Sequence, residues 1–202
     1  MGRRGDHGLE KIREMAIEAA EAIVAEGGLN QLSTRKVAAR IGYTAGTLYL
    51  VFEDFKHLLL EVNGRSLDLL FKNLEDASQS KTDHVEAIYA ICRAYLAFSR
   101  DNSARWTLLF ERQWGPGFER PEWYQNKKKN CFKPLAARLG ALGIAESEDQ
   151  LVSYTRTLWA SIHGTCVLAE DDKLTQAGAS DSTRELDLQV ELFLKALLGP
   201  KT

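Results

Sequence analysis

Apolar residues recur at intervals of three and four along almost the whole chain, and no stretch alternates apolar with polar residues long enough to make a half-buried strand. That period belongs to helices, so the expected fold class is all-α. It is plain between Leu9 and Glu26, where Ile12, Met15, Ala16, Ala19, Ala22 and Ile23 fall at offsets 0, 3, 4, 7, 10 and 11. Those positions form one stripe of an amphipathic helix, which Gly27 and Gly28 stop. Ser33 offers its side-chain oxygen to a short helix from Thr34 to Arg40, with Val37, Ala38 and Ile41 facing inward. Gly42 ends that helix. After Tyr43, Thr44 caps a second short helix that reaches Tyr49 and turns Leu48 into the core. Residues 33–49 therefore read as helix, tight glycine turn, helix.

Asp54 is the expected cap of a long helix to about Ser78, with Leu60, Leu67, Leu70, Phe71 and Leu74 on one side and Gly64 inside it. Further helices are expected at about 83–100, 102–111, 121–140, 148–170 and 182–198. Gln113–Pro121 and Ala177–Ser182 read as loops, and Pro134 should kink or divide the helix around it. The organisation expected is a three-helix domain over residues 1–53 followed by a larger helical domain over 54–202. A hydrophobic content of 45% is enough for such a chain to fold unaided. Cys92, Cys131 and Cys166 form an odd set with no CxxC pair, so no disulfide framework and no metal site is expected, nor any other cofactor. Charged residues follow Arg3 and Arg4 where a signal peptide would be apolar, and no 18-residue apolar run occurs, so the expected location is the cytoplasm.

The net charge of −2 rules out a uniformly basic coat, yet Gly27 to Phe52 holds three basic residues, Arg35, Lys36 and Arg40, and no acidic one. A positive island on a helix-turn-helix fits a duplex: the second helix enters the major groove while the first crosses the backbone. Ala45 and Gly46 would let the backbone approach base edges, and the hydroxyls of Thr44, Thr47 and Tyr49 would donate to phosphates or bases. For Tyr49 the alternative is a buried capping tyrosine.

The stretch from Leu32 to Tyr49, followed by Phe52 and Leu58-Leu59, resembles the tetracycline-repressor (TetR) family of regulators over about the first quarter of the chain. The resemblance implies that Thr34 and Arg35 meet the DNA backbone, that Thr44 to Thr47 face the groove, and that Tyr49 donates to a phosphate. The candidate DNA-contacting set is Ser33, Thr34, Arg35, Lys36, Thr44, Ala45, Gly46, Thr47, Tyr49 and Lys56. Three positions depart from the family's pattern. Phe55 stands where members commonly carry a phosphate-binding lysine, leaving Lys56 as the nearby replacement, and Leu50 and Val51 replace a frequent polar residue and a frequent histidine or aromatic. Fewer phosphate donors imply a shallower salt dependence, since each neutralised phosphate contributes about −0.9 to the slope of log affinity against log salt.

Aromatic residues accumulate after residue 88 and either fill a core or line a cavity between helices. Because family members keep a ligand pocket in this domain, the resemblance singles out Trp106, Phe110, Trp123, Tyr124, Tyr154 and Trp159, with His163 as a polar contact. Trp159-Ala-Ser-Ile-His163-Gly164 resembles the Trp-x-x-x-His-Gly motif of one TetR-like C-terminal subgroup; the alternative for His163 is a core histidine satisfied by the protein itself. The resemblance also implies a homodimer through the last two long helices, with Leu151, Leu158, Ile162, Leu186, Val190, Phe193, Leu194 and Leu197 as candidate interface residues. The function expected is a repressor that a small molecule releases from a palindromic operator. The competing readings are a helical sensor or scaffold without DNA binding, and an enzyme built on His163 with Cys166 or on Glu170-Asp171-Asp172. The enzyme reading is set aside because no orienting group or oxyanion donor is evident, and consecutive helical carboxylates diverge.

Overall fold

The structure is a computed structural model that describes residues 8–110, 117–170, 173–179 and 181–199. Among these residues there are eleven α-helices and no strand: α1 (Leu9–Gly27), α2 (Thr34–Arg40), α3 (Ala45–Leu48), α4 (Phe55–Gln79), α5 (His84–Asp101), α6 (Ser103–Phe110), α7 (Glu122–Asn130), α8 (Lys133–Ala141), α9 (Glu148–Glu170), α10 (Lys173–Gln176) and α11 (Ser182–Leu198). A 3-10 turn occupies Leu29–Gln31. The all-α expectation holds, and the side-chain caps explain where helices begin. Ser33 accepts from the Lys36 amide at 3.3 Å, and Asp54 from that of His57 at 2.9 Å. Asp83 and Asp181 do the same for α5 and α11.

The expected helix at 121–140 is two helices, α7 and α8. Pro134 lies in the first turn of α8, where its missing N–H leaves no bond unmade, so the chain breaks just before it. The 3-10 turn and α10 are too short to carry a periodic pattern and were not expected. Of the first expected loop, Gln113 to Pro116 lie outside the described residues, as do Asp171, Asp172 and Ser180.

The chain forms two compact units. One contains residues up to Leu67 together with Ala104–Tyr124, the other Asp68–Ser103 together with Gln125 onward. In the first, α1 packs on α2 and α3. Its buried residues include Ile12, Ala16, Ile17, Ala20 and Val24 of α1, with Val37, Ala38, Leu48 and Phe52. The α1 stripe is wider than expected: Ile17, Ala20 and Val24 are buried, while Met15 and Ala22 are only half-buried.

In the second unit α5 is packed by α8, α9 and α11, and α9 also by α8, α10 and α11. This bundle corrects the expected dimer residues. Leu158, Ile162, Leu186, Val190 and Leu194 are between 0% and 4% exposed, committed to the core of their own chain. Leu151, Phe193 and Leu197 are half-buried. The exposed apolar residues of α9 and α11 lie elsewhere, at Val152, Leu168, Leu188, Leu192 and Leu198. Polar contacts knit the unit at its ends. Arg93 of α5 forks onto Asp187 of α11 at 2.8 and 2.7 Å. Arg138 of α8 donates to the Ser78 carbonyl at 2.6 Å and the Lys81 carbonyl at 3.2 Å, satisfying acceptors at the end of α4.

Candidate functional site

The turn between α2 and α3 is a Schellman closure. The Gly42 amide donates to Ala39 O at 3.1 Å and the Tyr43 amide to Ala38 O at 2.9 Å, with Gly42 at φ +78°. A side chain at Gly42 would be strained, so the glycine fixes the angle at which α3 leaves α2. Leu48, 2% exposed, anchors α3 from beneath. Its other side is open: Thr44 and Gly46 are exposed, and Ala45 and Thr47 half-exposed. Thr44 has the extended backbone of a cap, but its hydroxyl does not reach a backbone amide. Its Oγ1 lies 3.2 Å from Thr47 Oγ1, so the two hydroxyls form an outward pair.

Gly46 is informative. A Cβ built on it would meet only Thr44 Oγ1, at 3.8 Å, so nothing in the chain's own packing requires glycine there. Glycine within a helix costs about 1 kcal/mol relative to alanine.

Tyr49 is 55% exposed, which removes the buried-capping alternative and leaves its hydroxyl accessible. Ser33 and Thr34 are half-exposed and Arg35 is exposed, with no ion-pair partner for Arg35 among the described residues. The positive island is smaller than the sequence suggests. Arg40 forks onto Glu26 at 2.7 and 2.6 Å, an acidic residue just outside the stretch that lacks acids. That hydrogen bond raises the Arg40 pKa and lowers that of Glu26. Lys36 Nζ bonds Gln31 Oε1. The Lys56 ammonium lies over the Phe118 ring, 5.0 Å from its centroid.

The seven candidate effector residues do not form one set. Trp106, Phe110, Trp123 and Tyr124 belong to the first unit, and Tyr154, Trp159 and His163 to the second. Trp106 is fully enclosed and packs on Phe110 with ring centroids 4.4 Å apart, whereas Trp123 is 37% exposed. Tyr154 meets Phe193 edge-on at 6.5 Å. The most organised group is in the second unit. Trp159 Nε1 donates to the Tyr95 hydroxyl at 3.0 Å, and that hydroxyl lies 3.0 Å from His163 Nδ1. The indole N–H can only donate, so the Tyr95 hydroxyl accepts from Trp159 while sharing a second hydrogen bond with His163 Nδ1. Trp159 stacks on His163 at 5.2 Å and takes Phe132 on its edge at 5.3 Å. Sequence reasoning placed Tyr95 and Phe132 only among the general aromatics, because Tyr95 lies on α5 and Phe132 in the turn before α8, 64 and 27 residues from Trp159.

Burial lowers the pKa of His163, keeping the ring neutral, and raises that of Tyr95 well above 10.0. The Cys166 thiol is pushed up to about 11, chiefly by burial, so it is protonated and a poor nucleophile. No group of three metal-binding side chains exists among the described residues, and none of their helices is long and apolar enough to cross a membrane.

Comparison with known proteins gives a consistent assignment. Residues 16–62 match the family described as bacterial regulatory proteins, tetR family, and residues 88–193 match the tetracyclin repressor-like C-terminal domain. No curated protein matches the chain in sequence. Among solved structures, a protein of unknown function from Rhodococcus sp. RHA1 superposes with a TM-score of 0.78 at 17% identity, over 98% of this chain and 100% of that one. FadR from Bacillus subtilis, in complex with stearoyl-CoA, superposes at 0.66 with 16% identity, over 89% and 96%. FadR from Thermus thermophilus, a TetR-family repressor in complex with lauroyl-CoA, superposes at 0.66 with 17% identity, over 94% and 97%. At such identities the likeness is one of fold.

Proposed function

The chain belongs to the tetracycline-repressor family of bacterial regulators, a ligand-responsive class of DNA-binding proteins, and from that we propose a homodimeric repressor that a small molecule releases from a palindromic operator. In this reading residues 1–53 read DNA, residues 54–202 bind effector and dimerise, and the protein works in the cytoplasm without catalysing a reaction. Packing units differ from these functional assignments, since the first unit also takes in residues 54–67 and 104–124. The observation that carries the DNA-reading half is Gly46: a helical glycine with no internal reason, between two exposed threonine hydroxyls, on the helix whose back is pinned by Leu48.

For dimerisation the support is the outward apolar residues Val152 and Leu168 of α9 and Leu188 and Leu192 of α11. Gly164 of α9 adds to it, because a Cβ there would meet nothing of its own chain within 4 Å and a partner helix could use the space. For the effector, the support is the hydrogen-bonded Tyr95, Trp159 and His163 group, which places a neutral imidazole among aromatic rings. Stearoyl-CoA and lauroyl-CoA, found in two structural neighbours, are the first probes.

The test is an electrophoretic shift with the DNA flanking the protein's own gene. The wild-type chain should retard it, and Gly46→Ala should melt higher, by up to about 1 kcal/mol of added stability, yet bind the DNA at least tenfold more weakly. Unchanged DNA affinity in a stabilised Gly46→Ala would remove the groove-facing role of α3.

A further inference from the structure

Between Ile41 and Glu53 the chain carries no charged residue, no amide side chain, no histidine and no serine. What α3 and its flanks expose is therefore Thr44, Ala45, Gly46 and Thr47, followed by Tyr49 at 55% exposure and Leu50 at 68%. The side chains that tell base pairs apart by paired hydrogen bonds are long ones: arginine or lysine on guanine, asparagine or glutamine on adenine, a carboxylate on cytosine. This element has none of them. The nearby cations sit on other elements. Arg35, Lys36 and Arg40 belong to α2, the helix that crosses the backbone, and two of them are engaged, Lys36 by Gln31 and Arg40 by Glu26. Lys56, on α4, lies over the Phe118 ring.

The exposed hydroxyls do not discriminate either. Thr44 Oγ1 and Thr47 Oγ1 are 3.2 Å apart, so one donates to the other. The pair keeps one free proton and open lone pairs, and a group able both to donate and to accept suits any base edge. What remains on this surface is apolar: the Ala45 methyl and the γ-methyls of Thr44 and Thr47. Thymine's 5-methyl is the apolar group that a base pair shows in the major groove. Short side chains reach it only if the backbone comes close, and Gly46 leaves room for that, since a Cβ there would meet only Thr44 Oγ1 within 4 Å.

We propose that α3 selects its half-site through thymine 5-methyl groups packed against the methyls of Thr44, Ala45 and Thr47, and makes no bidentate contact to guanine or adenine. This rests on the DNA-reading assignment above and names the class of sequence read: A·T pairs beneath α3, with thymine on the strand that faces these methyls. Phosphate contacts supply affinity without sequence information. Discrimination is correspondingly shallow. A bidentate pair carries about fivefold to a hundredfold against the wrong base, whereas burying one methyl-sized group carries about fourfold.

The test uses the full chain and a duplex that it selects from a random pool. Each thymine of the selected half-site is replaced in turn by deoxyuridine, which removes the 5-methyl and leaves the hydrogen-bonding edge unchanged, so the protein need not be altered. At the thymines beneath α3 the affinity should fall about fourfold, and at thymines outside the contacted block it should not change. Two double variants then separate methyl from hydroxyl. Thr44→Ser with Thr47→Ser keeps both hydroxyls and should lose the preference for thymine over deoxyuridine, while Thr44→Val with Thr47→Val keeps methyls and should retain it; thermal midpoints establish that each is folded. A guanine fixed beneath α3 and dependent on Arg35, or equal affinity for thymine and deoxyuridine duplexes at every position, would overturn the methyl reading and leave the DNA-reading assignment standing. Selection of no duplex at low ionic strength would overturn both.

Discussion

At the residue scale, charges near the reading helix differ in availability. Arg35 is exposed without an ion-pair partner among the described residues, whereas Arg40 is forked onto Glu26. Arg35→Ala should therefore flatten the slope of log duplex affinity against log salt by about 0.9, while Arg40→Ala should change it by much less. Glu26→Gln should steepen it by up to the same amount, by freeing the guanidinium; equal slopes for all three variants in a salt titration would contradict this. Proton linkage at His163 is a second residue-scale consequence. Burial lowers its folded pKa below 6.5, so the unfolded chain takes up a proton that the folded chain resists. Stability from this group is present above pH 6.5 and is lost as pH falls through the folded value. Melting measured at stepwise lower pH should show a decline that is smaller in His163→Gln; parallel declines would assign the acid sensitivity to other groups. Sequence alone singled out His163 and Trp159, because their four-residue spacing is local. It did not single out Tyr95 as their link or Glu26 as the neutraliser of Arg40, because both relations depend on tertiary packing.

At the scale of elements, the long helices and most of their ends were legible, since a run of 17 to 25 residues repeats its stripe several times and Ser33, Asp54 and Gly42 punctuate it. The four-residue α10 offers no repeat to read. What the stripe of a helix packs against is a harder question. Leu158, Ile162, Leu186, Val190 and Leu194 were expected to face a partner, but a stripe has the same period whether it serves its own bundle or another chain. Here the bundle takes the continuous stripe, and the outward residues are scattered among polar ones. The consequence is an exchange of roles. Leu192→Glu, at a position 58% exposed, should convert a dimer to a monomer in sedimentation without unfolding it. Leu186→Ala, at a fully enclosed position, should cost about 2–5 kcal/mol of stability. A dimer that survives Leu188→Glu with Leu192→Glu would show that this face of α11 is not the interface.

At the scale of the whole molecule, regulation requires two reading helices whose placement is coupled to effector occupancy. A coupling of about 1.4 kcal/mol changes DNA affinity tenfold, less than the loss of one buried contact, so the device need not be elaborate. In the proposed homodimer, two-fold symmetry would set the geometry. Its paired α3 helices would then enter successive major grooves about 34–36 Å apart, which predicts a palindromic site. The most direct measurement is therefore a stoichiometric titration of the purified chain with a selected palindromic duplex at low ionic strength, followed by light scattering. The expected result is two chains per duplex and an affinity that falls steeply when half of the palindrome is scrambled. One chain per duplex, or no binding at any concentration tested, would contradict a dimer that reads DNA through residues 33–49.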